Sequence, residues 1–132
     1  MKAIYQQIKN GTVIEPTVIV DVPYEADVMH DMEVFGPVIA CCPFDDEDEA
    51  LEIANATHFG LGASIFTNDM KKAVYFSDAF EAGSVVINGS SYFRSFEMPF
   101  GGYKKSGIGT EGVYSTFNEL TKIKCITLKG IL

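Results

Sequence analysis

Runs of apolar residues alternate with polar stretches along the chain, and their order predicts strands that alternate with helices. Val38 to Phe44 (VIACCPF) is a continuous apolar run, which is the pattern of a strand covered on both faces. The acidic stretch DDEDE follows, so we expect Asp45 or Asp46 to cap a helix whose first turn suits the positive end of the helix dipole. This first helix is expected to end before Gly60.

The same order of elements then repeats. GASIFT, which starts at Gly62, predicts a second strand, and Asn68 or Asp69 is placed to cap a second helix that ends by Gly83. SVVIN, from Ser84, predicts a third strand. Two β-α-β units in a row indicate an α/β fold with a parallel sheet and right-handed crossovers.

Further elements are predicted on both sides of this region. Thr12 to Val22 is rich in β-branched residues but contains Pro16, so it predicts one strand or two short pieces. Glu111 to Thr121 predicts a third helix, and IKCITL, from Ile123, predicts a final strand.

Composition narrows the class of protein. The 132 residues are 47% hydrophobic and include ten phenylalanines and six tyrosines, which is enough to bury a core. The net charge of −8 argues against nucleic acid and anionic membrane surfaces as partners. The chain contains neither a signal-peptide pattern nor an apolar run of about 20 residues, and three cysteines make a poor disulfide framework. A reduced, cytoplasmic setting is therefore expected.

A glycine-rich segment, EMPFGGYKKSGIGTEG (Glu97 to Gly112), raises the question of phosphate binding. Its last part, GIGTEG, has the G-x-G-x-x-G spacing of a dinucleotide fingerprint. That fingerprint requires a strand directly before it and a helix directly after it. FGGYKKS precedes it and does not have a strand pattern, so a tight turn that leads into a helix is the preferred interpretation.

Neither cysteines nor histidines form a recognisable reactive site. Cys41 and Cys42 lie inside an apolar run and Cys125 lies in a predicted strand, so all three are interpreted as small hydrophobic residues. His30 and His58 have no partner at the spacing of metal ligands, and no metal site is expected.

The stretch MEVFGPV places a carboxylate and an aromatic ring ahead of a Gly-Pro turn and a buried strand. Glu33 is suited to accept hydrogen bonds from ribose hydroxyls, and Phe35 to pack against a flat ring. The alternative is a structural turn with Glu33 in solvent, and the residues by themselves favour it.

Several motifs occur in an order that resembles the C-terminal part of NAD(P)-dependent aldehyde dehydrogenases, of the lactaldehyde or succinate-semialdehyde dehydrogenase kind. They are EVFGPV, PFDDEDEALEIANATHFGLGASIFTND, EAGSVVIN and MPFGGYKKSGIGTEG, and the resemblance runs from about Gly11 to the end. It implies a parallel, three-layer βαβαβ unit of the catalytic domain over residues 1–121. It also implies an oligomerisation strand or tail over residues 122–132.

The resemblance also implies roles for individual residues. Glu33 matches the carboxylate that holds the nicotinamide-side ribose, and Phe35 matches an aromatic residue at the same end of the cofactor. Phe100 lies where the family lines its aldehyde tunnel. Arg94 resembles an arginine that anchors the far end of carboxylated or hydroxylated aldehydes, and the alternative is a surface arginine on a loop.

In this family a cysteine thiolate attacks the aldehyde, hydride passes to NAD or NADP, and a glutamate base assists hydrolysis of the thioester. Both of those residues, and the dinucleotide-binding domain, precede the E-x-F-G-P motif, which begins here at Glu33. No residue of this chain is therefore assigned as catalytic. We expect the chain alone to be inactive and to bind no cofactor.

The chain's partners follow from the same resemblance. We expect it to form a homo-oligomer, with a dimer favoured, or to associate with a separately encoded upstream portion of the enzyme. The alternative function is an independently folded module for self-association or subunit interaction.

Overall fold

The computed structural model describes residues 2–3, 11 and 13–130, and the elements lie in an α/β order. The helices are α1 (Glu47–Asn55), α2 (Met70–Ala79) and α3 (Val113–Leu120). The strands are β1 (Lys2–Ala3), β2 (Thr17–Val20), β3 (Val38–Ala40), β4 (Phe59–Gly60), β5 (Gly62–Ile65), β6 (Ser84–Ile87), β7 (Phe100–Gly101), β8 (Tyr103–Lys104) and β9 (Thr110–Glu111).

The parallel strands lie in two separate sheets. In one sheet β2 lies between β1 and β3 and pairs in parallel with β3, and in the other β5 pairs in parallel with β6. The predicted unit β5-α2-β6 is therefore confirmed. The prediction that β3-α1-β5 forms part of the same sheet is wrong. The three residues of β3 pair with β2, whereas β5 pairs with β6 in a separate sheet.

Side-chain caps explain where the first two helices begin. The Asp46 side chain accepts a hydrogen bond from the backbone N–H of Glu49 at 2.9 Å, and the Glu49 carboxylate accepts one from the N–H of Asp45 at 2.6 Å. This reciprocal arrangement satisfies two backbone donors at the start of α1. Asp69 caps α2 by accepting from the N–H groups of Lys71 and Lys72. The capping predictions are thus confirmed.

The most buried apolar side chains of the described residues are Val22, Ala73 and Phe76. The ring of Phe76 lies 5.4 Å from the ring of Phe80, centroid to centroid, on the inner side of α2. The helices α1 and α2 are linked by an ion pair between Lys72 and Glu47.

Two further predictions about strands are wrong. The apolar run from Val38 to Phe44 is not covered on both faces, since Ile39 is 62% exposed, Phe44 is 59% exposed and Cys41 is also exposed. The strand ends at Ala40, and on one edge it has only the four-residue β2 as a neighbour. Residues 121–129, where the final strand was predicted, are in neither a helix nor a strand within this chain.

The glycine-rich segment contains short strands that the sequence does not reveal. The strand β8 pairs with β4, and β7 pairs with β9, both antiparallel. FGGYKKS therefore contains the two short strands β7 and β8, contrary to the sequence prediction. The strand β9 lies within GIGTEG itself, so this stretch is not a loop between a strand and a helix, and α3 follows directly from Gly112 at φ +141°. This arrangement agrees with a turn rather than a phosphate cradle.

Candidate functional site

The carboxyl ends of α1 and α2 are joined by the side chain of Asn55. Its amide nitrogen donates to the carbonyl oxygen of Ala79 at 2.9 Å, and its amide oxygen accepts from the N–H of Glu81 at 2.9 Å. Both groups of the amide are therefore used, and the two helix ends are held at a fixed separation.

Lys104 attaches the glycine-rich segment to the same place. Its ammonium group donates to the carbonyl oxygens of Asn55 at 2.6 Å and Thr57 at 3.0 Å, and it forms an ion pair with Glu81 at 2.6 Å. Carbonyl groups at the end of a helix carry partial negative charge, so an ammonium group is well suited to cap them.

Two further hydrogen bonds complete this attachment. The hydroxyl of Ser106 accepts a hydrogen bond from the N–H of Gly60 at 2.9 Å, and the N–H of Lys105 donates to the carbonyl of His58 at 2.9 Å. The glycine-rich segment is thus anchored at its middle, between the strand β7, which carries Phe100, and the turn before β9.

Close backbone contact fixes the segment from another side. A Cβ on Gly83 would lie 1.7 Å from the carbonyl oxygen of Gly101. Only glycine permits this approach, which brings β7 against the start of β6. The position of Phe100 therefore depends on the glycine at 83 as well as on Lys104.

Arg94 and Phe100 lie together at a cavity of about 300 Å³. The Cζ atom of Arg94 lies 3.6 Å from the centroid of the Phe100 ring, which is a cation–π contact. Stacking holds the plane of the guanidinium while its N–H groups remain available to an anionic or hydroxylated ligand. The cavity is also lined by Leu61, Gly62, Ser84, Ser91, Tyr92 and Phe93.

Glu33 and Phe35 lie in the loop before β3. Both side chains are exposed, Phe35 to 91%. This leaves a carboxylate and a ring face accessible to a nucleotide, as the cofactor-side prediction requires, but it equally fits a solvated turn.

The loop with Glu33 is tied to the rest of the molecule through Asp31. One carboxylate oxygen of Asp31 accepts from the Thr57 hydroxyl at 2.6 Å and from the N–H of His58 at 2.8 Å, and the other pairs with the His58 ring. The hydrogen bond from Thr57, followed by that from the His58 backbone, lowers the pKa of Asp31 from 3.8 to about 2. Asp31 has a left-handed backbone with φ +51°.

The cysteines do not face the Arg94–Phe100 cavity. Cys41 and Cys125 are exposed and Cys42 is half-buried, so the three cysteines are less covered than their interpretation as small hydrophobic residues implies. The run that holds Cys41 and Cys42 is covered on one side only, and this explains the difference. Among the residues that line the Arg94–Phe100 cavity there is no cysteine.

Within the described ranges, no cluster of three or more His, Cys, Asp or Glu side chains is placed to hold a metal ion. The helices in those ranges are all too short or too polar to cross a membrane.

Sequence reasoning missed the two anchoring groups, Lys104 with Asn55 and Asp31 with His58. Lys104 and Ser106 are the lysine and serine of the P-F-G-G-x-K-x-S-G motif, so a signal for the first group was present. Its structural role could not be predicted, because the partners of Lys104 are backbone carbonyls that lie 49 and 47 residues away in sequence. For the second group the sequence contains no comparable motif.

Comparison with known proteins identifies the relatives of this chain. A profile of the aldehyde dehydrogenase family matches residues 2–126. Lactaldehyde dehydrogenase from Methanococcus maripaludis is 41% identical over 124 residues, which are 93% of this chain and 26% of the relative. Lactaldehyde dehydrogenase from Methanocaldococcus jannaschii is 49% identical over 96 residues, 73% of this chain and 20% of the relative.

Solved structures give the same result. A glyceraldehyde-3-phosphate dehydrogenase from Methanocaldococcus jannaschii, complexed with NADP, superposes with a TM-score of 0.84 at 40% identity, over 93% of this chain and 26% of its own. Aldehyde dehydrogenase 21 from Physcomitrella patens, in complex with the reaction product succinate, superposes with a TM-score of 0.80 at 41% identity, over 90% and 24%. The chain thus spans about a quarter of the length of these relatives.

Proposed function

This chain belongs to the aldehyde dehydrogenase family, and from that premise we propose that it supplies the substrate-facing portion of an enzyme that oxidises an aldehyde to a carboxylic acid with NAD or NADP. The contact between Arg94 and Phe100 in the lining of a cavity is the observation that carries the proposal. In this role Phe100 lines the path of the aldehyde, and Arg94 binds the end of the substrate remote from the reacting carbon.

The substrate class follows from the chemistry of Arg94. A guanidinium group forms paired hydrogen bonds with a carboxylate and also donates to hydroxyl oxygens. We therefore propose an aldehyde with a carboxylate or hydroxyl group at its far end. The succinate bound by the Physcomitrella relative and the lactaldehyde in the names of the archaeal relatives support this class.

For the cofactor, we propose that Glu33 and Phe35 contact the nicotinamide end of NAD or NADP. The exposed carboxylate suits ribose hydroxyls and the exposed ring suits a flat partner, so these residues fit one end of the nucleotide. When bound, the cofactor supplies the hydride acceptor. The residues of this chain orient its nicotinamide end, and the pyrophosphate is held by another part of the enzyme.

These 132 residues alone are proposed to be inactive. The residues lining the Arg94–Phe100 cavity include no cysteine that could attack an aldehyde there. Contacts from Glu33 and Phe35 would also have to offset an association entropy of about 4–15 kcal/mol without help from a phosphate-binding site. We expect calorimetry with NAD⁺ or NADP⁺ to show no binding tighter than millimolar.

The experiment that tests the proposal has two arms. The purified chain is assayed for NADH or NADPH formation with succinate semialdehyde and lactaldehyde, and we expect none. The chain is then co-expressed with the part of the Methanocaldococcus jannaschii lactaldehyde dehydrogenase that precedes the aligned region. We expect co-purification and restored aldehyde oxidation.

Substitution of Arg94 in the combined enzyme tests the substrate class. Because a charged hydrogen bond contributes about 1.5–3 kcal/mol, Arg94→Met should raise KM for succinate semialdehyde by about 10- to 100-fold. KM for propanal, which has no polar far end, should change little. Activity of the chain alone that disappears in Cys41→Ser or Cys42→Ser would contradict the proposal, as would an equal effect of Arg94→Met on both aldehydes.

A second candidate function is self-association. The exposed apolar residues of the tail, Ile123 (103%), Ile126 (70%) and Leu128 (73%), favour it because such a patch in water promotes contact between copies. This function does not exclude the first, since an enzyme portion can also contribute to an interface.

A further inference from the structure

The bend between α1 and β4 holds two segments that are distant from each other in sequence. The carboxylate of Asp31 accepts a hydrogen bond from the hydroxyl of Thr57 at 2.6 Å and one from the N–H of His58 at 2.8 Å. The carbonyl groups of the same two residues accept from the ammonium of Lys104 at 3.0 Å and from the N–H of Lys105 at 2.9 Å. We call Thr57 and His58 the junction, because they join the loop before β3 to the glycine-rich segment.

The contacts at the junction fix the backbone of Asp31. The Thr57 hydroxyl accepts from the N–H of Phe59 at 3.1 Å, and it gives its single proton to Asp31. The other carboxylate oxygen of Asp31 pairs with the His58 ring. Asp31 has a left-handed backbone with φ +51°, which a residue other than glycine keeps only where its surroundings hold it. The direction in which the chain leaves Asp31 therefore depends on the junction.

The loop that carries Glu33 and Phe35 is held at both of its ends. At its start it is held by the junction. At its other end the N–H of Gly36 donates to the carbonyl of Val34 at 2.9 Å, and the N–H of Val38 donates to the carbonyl of Gly36 at 2.8 Å, which makes two successive three-residue turns that lead into β3. Glu33 and Phe35 lie between these ends and are exposed, so their position depends on how the ends are held.

We propose that Asp31 is a positioning residue for the cofactor and acts through Glu33. Because the junction holds Asp31, it fixes the Glu33 carboxylate, and with it the nicotinamide end of NAD or NADP, relative to the segment that carries Phe100. The inference rests on the proposed function, in which Glu33 and Phe35 contact that end of the cofactor. A loop without this anchor samples other conformations, and its affinity for a ligand falls in proportion to the fraction in the binding conformation.

The ionisation of Asp31 agrees with a constant anchor at neutral pH. Hydrogen bonds, first from the Thr57 hydroxyl and next from the His58 N–H, lower the pKa of Asp31 from 3.8 to about 2. At neutral pH the side chain is therefore a carboxylate, whose two oxygens only accept hydrogen bonds and so match the donors of the junction. The side chain is 28% exposed, and this partial cover limits competition from water for the same oxygens.

A matched pair of substitutions at Thr57 tests the anchor in the 132-residue chain. Thr57→Val removes the hydroxyl that donates to Asp31 and keeps the size of the side chain, whereas Thr57→Ser keeps the hydroxyl. Nitrogen-15 relaxation measures the backbone order parameters of Glu33 and Phe35. We expect values of about 0.8 in the wild-type chain and in Thr57→Ser, and values below about 0.6 in Thr57→Val. Circular dichroism of each variant establishes that it folds.

Cofactor affinity tests the positioning role. The chain is co-expressed with the preceding portion of the Methanocaldococcus jannaschii lactaldehyde dehydrogenase, and calorimetry gives the Kd of the complex for NADP⁺. We expect Asp31→Ala and Thr57→Val each to raise this Kd about 5- to 10-fold, since the loss of a hydrogen bond lowers the fraction of loops in the binding conformation. Asp27→Ala is the control for Asp31→Ala and should leave the Kd unchanged, because Asp27 is an exposed carboxylate four residues before Asp31. In a Glu33→Gln background Thr57→Val should change the Kd less than about twofold, because the two residues then act on the same contact.

The outcomes separate this inference from the proposed function. Unchanged order parameters in Thr57→Val, or an equal fall in Thr57→Ser, overturn the anchor. In an active complex, an unchanged Kd for NADP⁺, or the same rise with and without Glu33→Gln, overturns the positioning role alone and leaves the proposed function in place. Failure of the two portions to co-purify contradicts the proposed function and removes the cofactor role of Asp31 with it, and the relaxation measurement still decides whether the anchor exists.

Discussion

Lys104 has a left-handed backbone with φ +53° and binds the end of α1 through two carbonyl groups. A residue other than glycine rarely adopts this conformation unless its surroundings hold it there. Here the ammonium contacts hold it, and they keep the glycine-rich segment at the position that places Phe100 next to Arg94. A residue without assigned chemistry thus controls the geometry of the candidate substrate site.

Replacing Lys104 by methionine should destabilise the fold. The substitution keeps most of the apolar stem but leaves the carbonyls of Asn55 and Thr57 without their charged donor, at a cost of about 1–3 kcal/mol. Urea unfolding followed by circular dichroism measures the difference. Lys105→Met is the matched control, since among the described residues its ammonium group has no hydrogen-bond or ion-pair partner and its change should stay within about 0.5 kcal/mol. Equal effects of the two substitutions would show that the ammonium contacts contribute nothing.

Asp31 predicts a specific response to acid. Hydrogen bonds, first from the Thr57 hydroxyl and next from the His58 N–H, lower its pKa from 3.8 to about 2. A carboxyl with a lowered folded-state pKa stabilises the fold above its unfolded pKa, and this stabilisation is lost as the pH falls through the folded value. The contribution of Asp31 should therefore be complete above about pH 4 and disappear towards pH 2.

The variant Asp31→Asn should separate this contribution from general acid unfolding. Above about pH 4 the variant should be less stable than the wild-type chain, and the difference should shrink as the pH falls towards 2. Urea midpoints measured at several pH values give the comparison, with Asp78→Asn as an exposed control. A difference that is the same at every pH would count against the Asp31 carboxylate as its source.

At the scale of elements, the sequence predicts what local chemistry determines. Asp46 and Asp69 predict the starts of α1 and α2, and the β-branched run after Gly83 predicts β6, because helix caps and periodicity depend on residues that are close together in sequence. Pairing between strands is decided by partners far along the chain. The separation of β3 from β5 was therefore not predictable from local pattern.

The candidate site shows the same division. Glu33, Phe35, Arg94 and Phe100 were all proposed from motifs, and the structure brings Arg94 and Phe100 into contact. The residues that position them could not be found from pattern, because two-residue strands such as β7 and β8 are too short to show a period. Lys104 binds main-chain oxygens, which every residue has, so the sequence does not identify its partners.

The close approach of β7 to β6 predicts that replacing Gly83 destabilises the fold. In Gly83→Ala the new Cβ would lie 1.7 Å from the Gly101 carbonyl oxygen, which is backbone and cannot move without displacing β7. We expect a loss of about 3 kcal/mol in unfolding free energy, measured by thermal or urea unfolding. Gly36→Ala is the control, because a Cβ there meets nothing within 4 Å. Similar stability of the two variants would mean that the strands do not approach this closely.

At the scale of the whole molecule, much of the apolar surface remains in water. Val22, Ala73 and Phe76 form the buried apolar core of the described residues, whereas α3 exposes Val113 (69%), Phe117 (65%) and Leu120 (80%). Contiguous apolar surface of this kind marks contact with other polypeptide. We propose that a second copy of this chain covers the tail and α3.

We expect the purified chain to form a discrete oligomer, with a dimer favoured, through its C-terminal tail. The tail exposes Ile123, Ile126 and Leu128 and forms no strand within the chain, and symmetric pairing of two copies is the commonest way to cover such a surface. Deletion of residues 124–132 should shift the mass measured by light scattering at micromolar concentration to that of a monomer, 14.5 kDa less the deleted residues. Ile108→Ser is the control, because Ile108 is equally exposed, at 108%, but lies outside the tail, so this variant should keep the mass of the intact chain. A monomer mass for the intact chain, or an oligomer that survives the deletion, would exclude the tail as the contact between copies and leave the face of α3 as the surface to test.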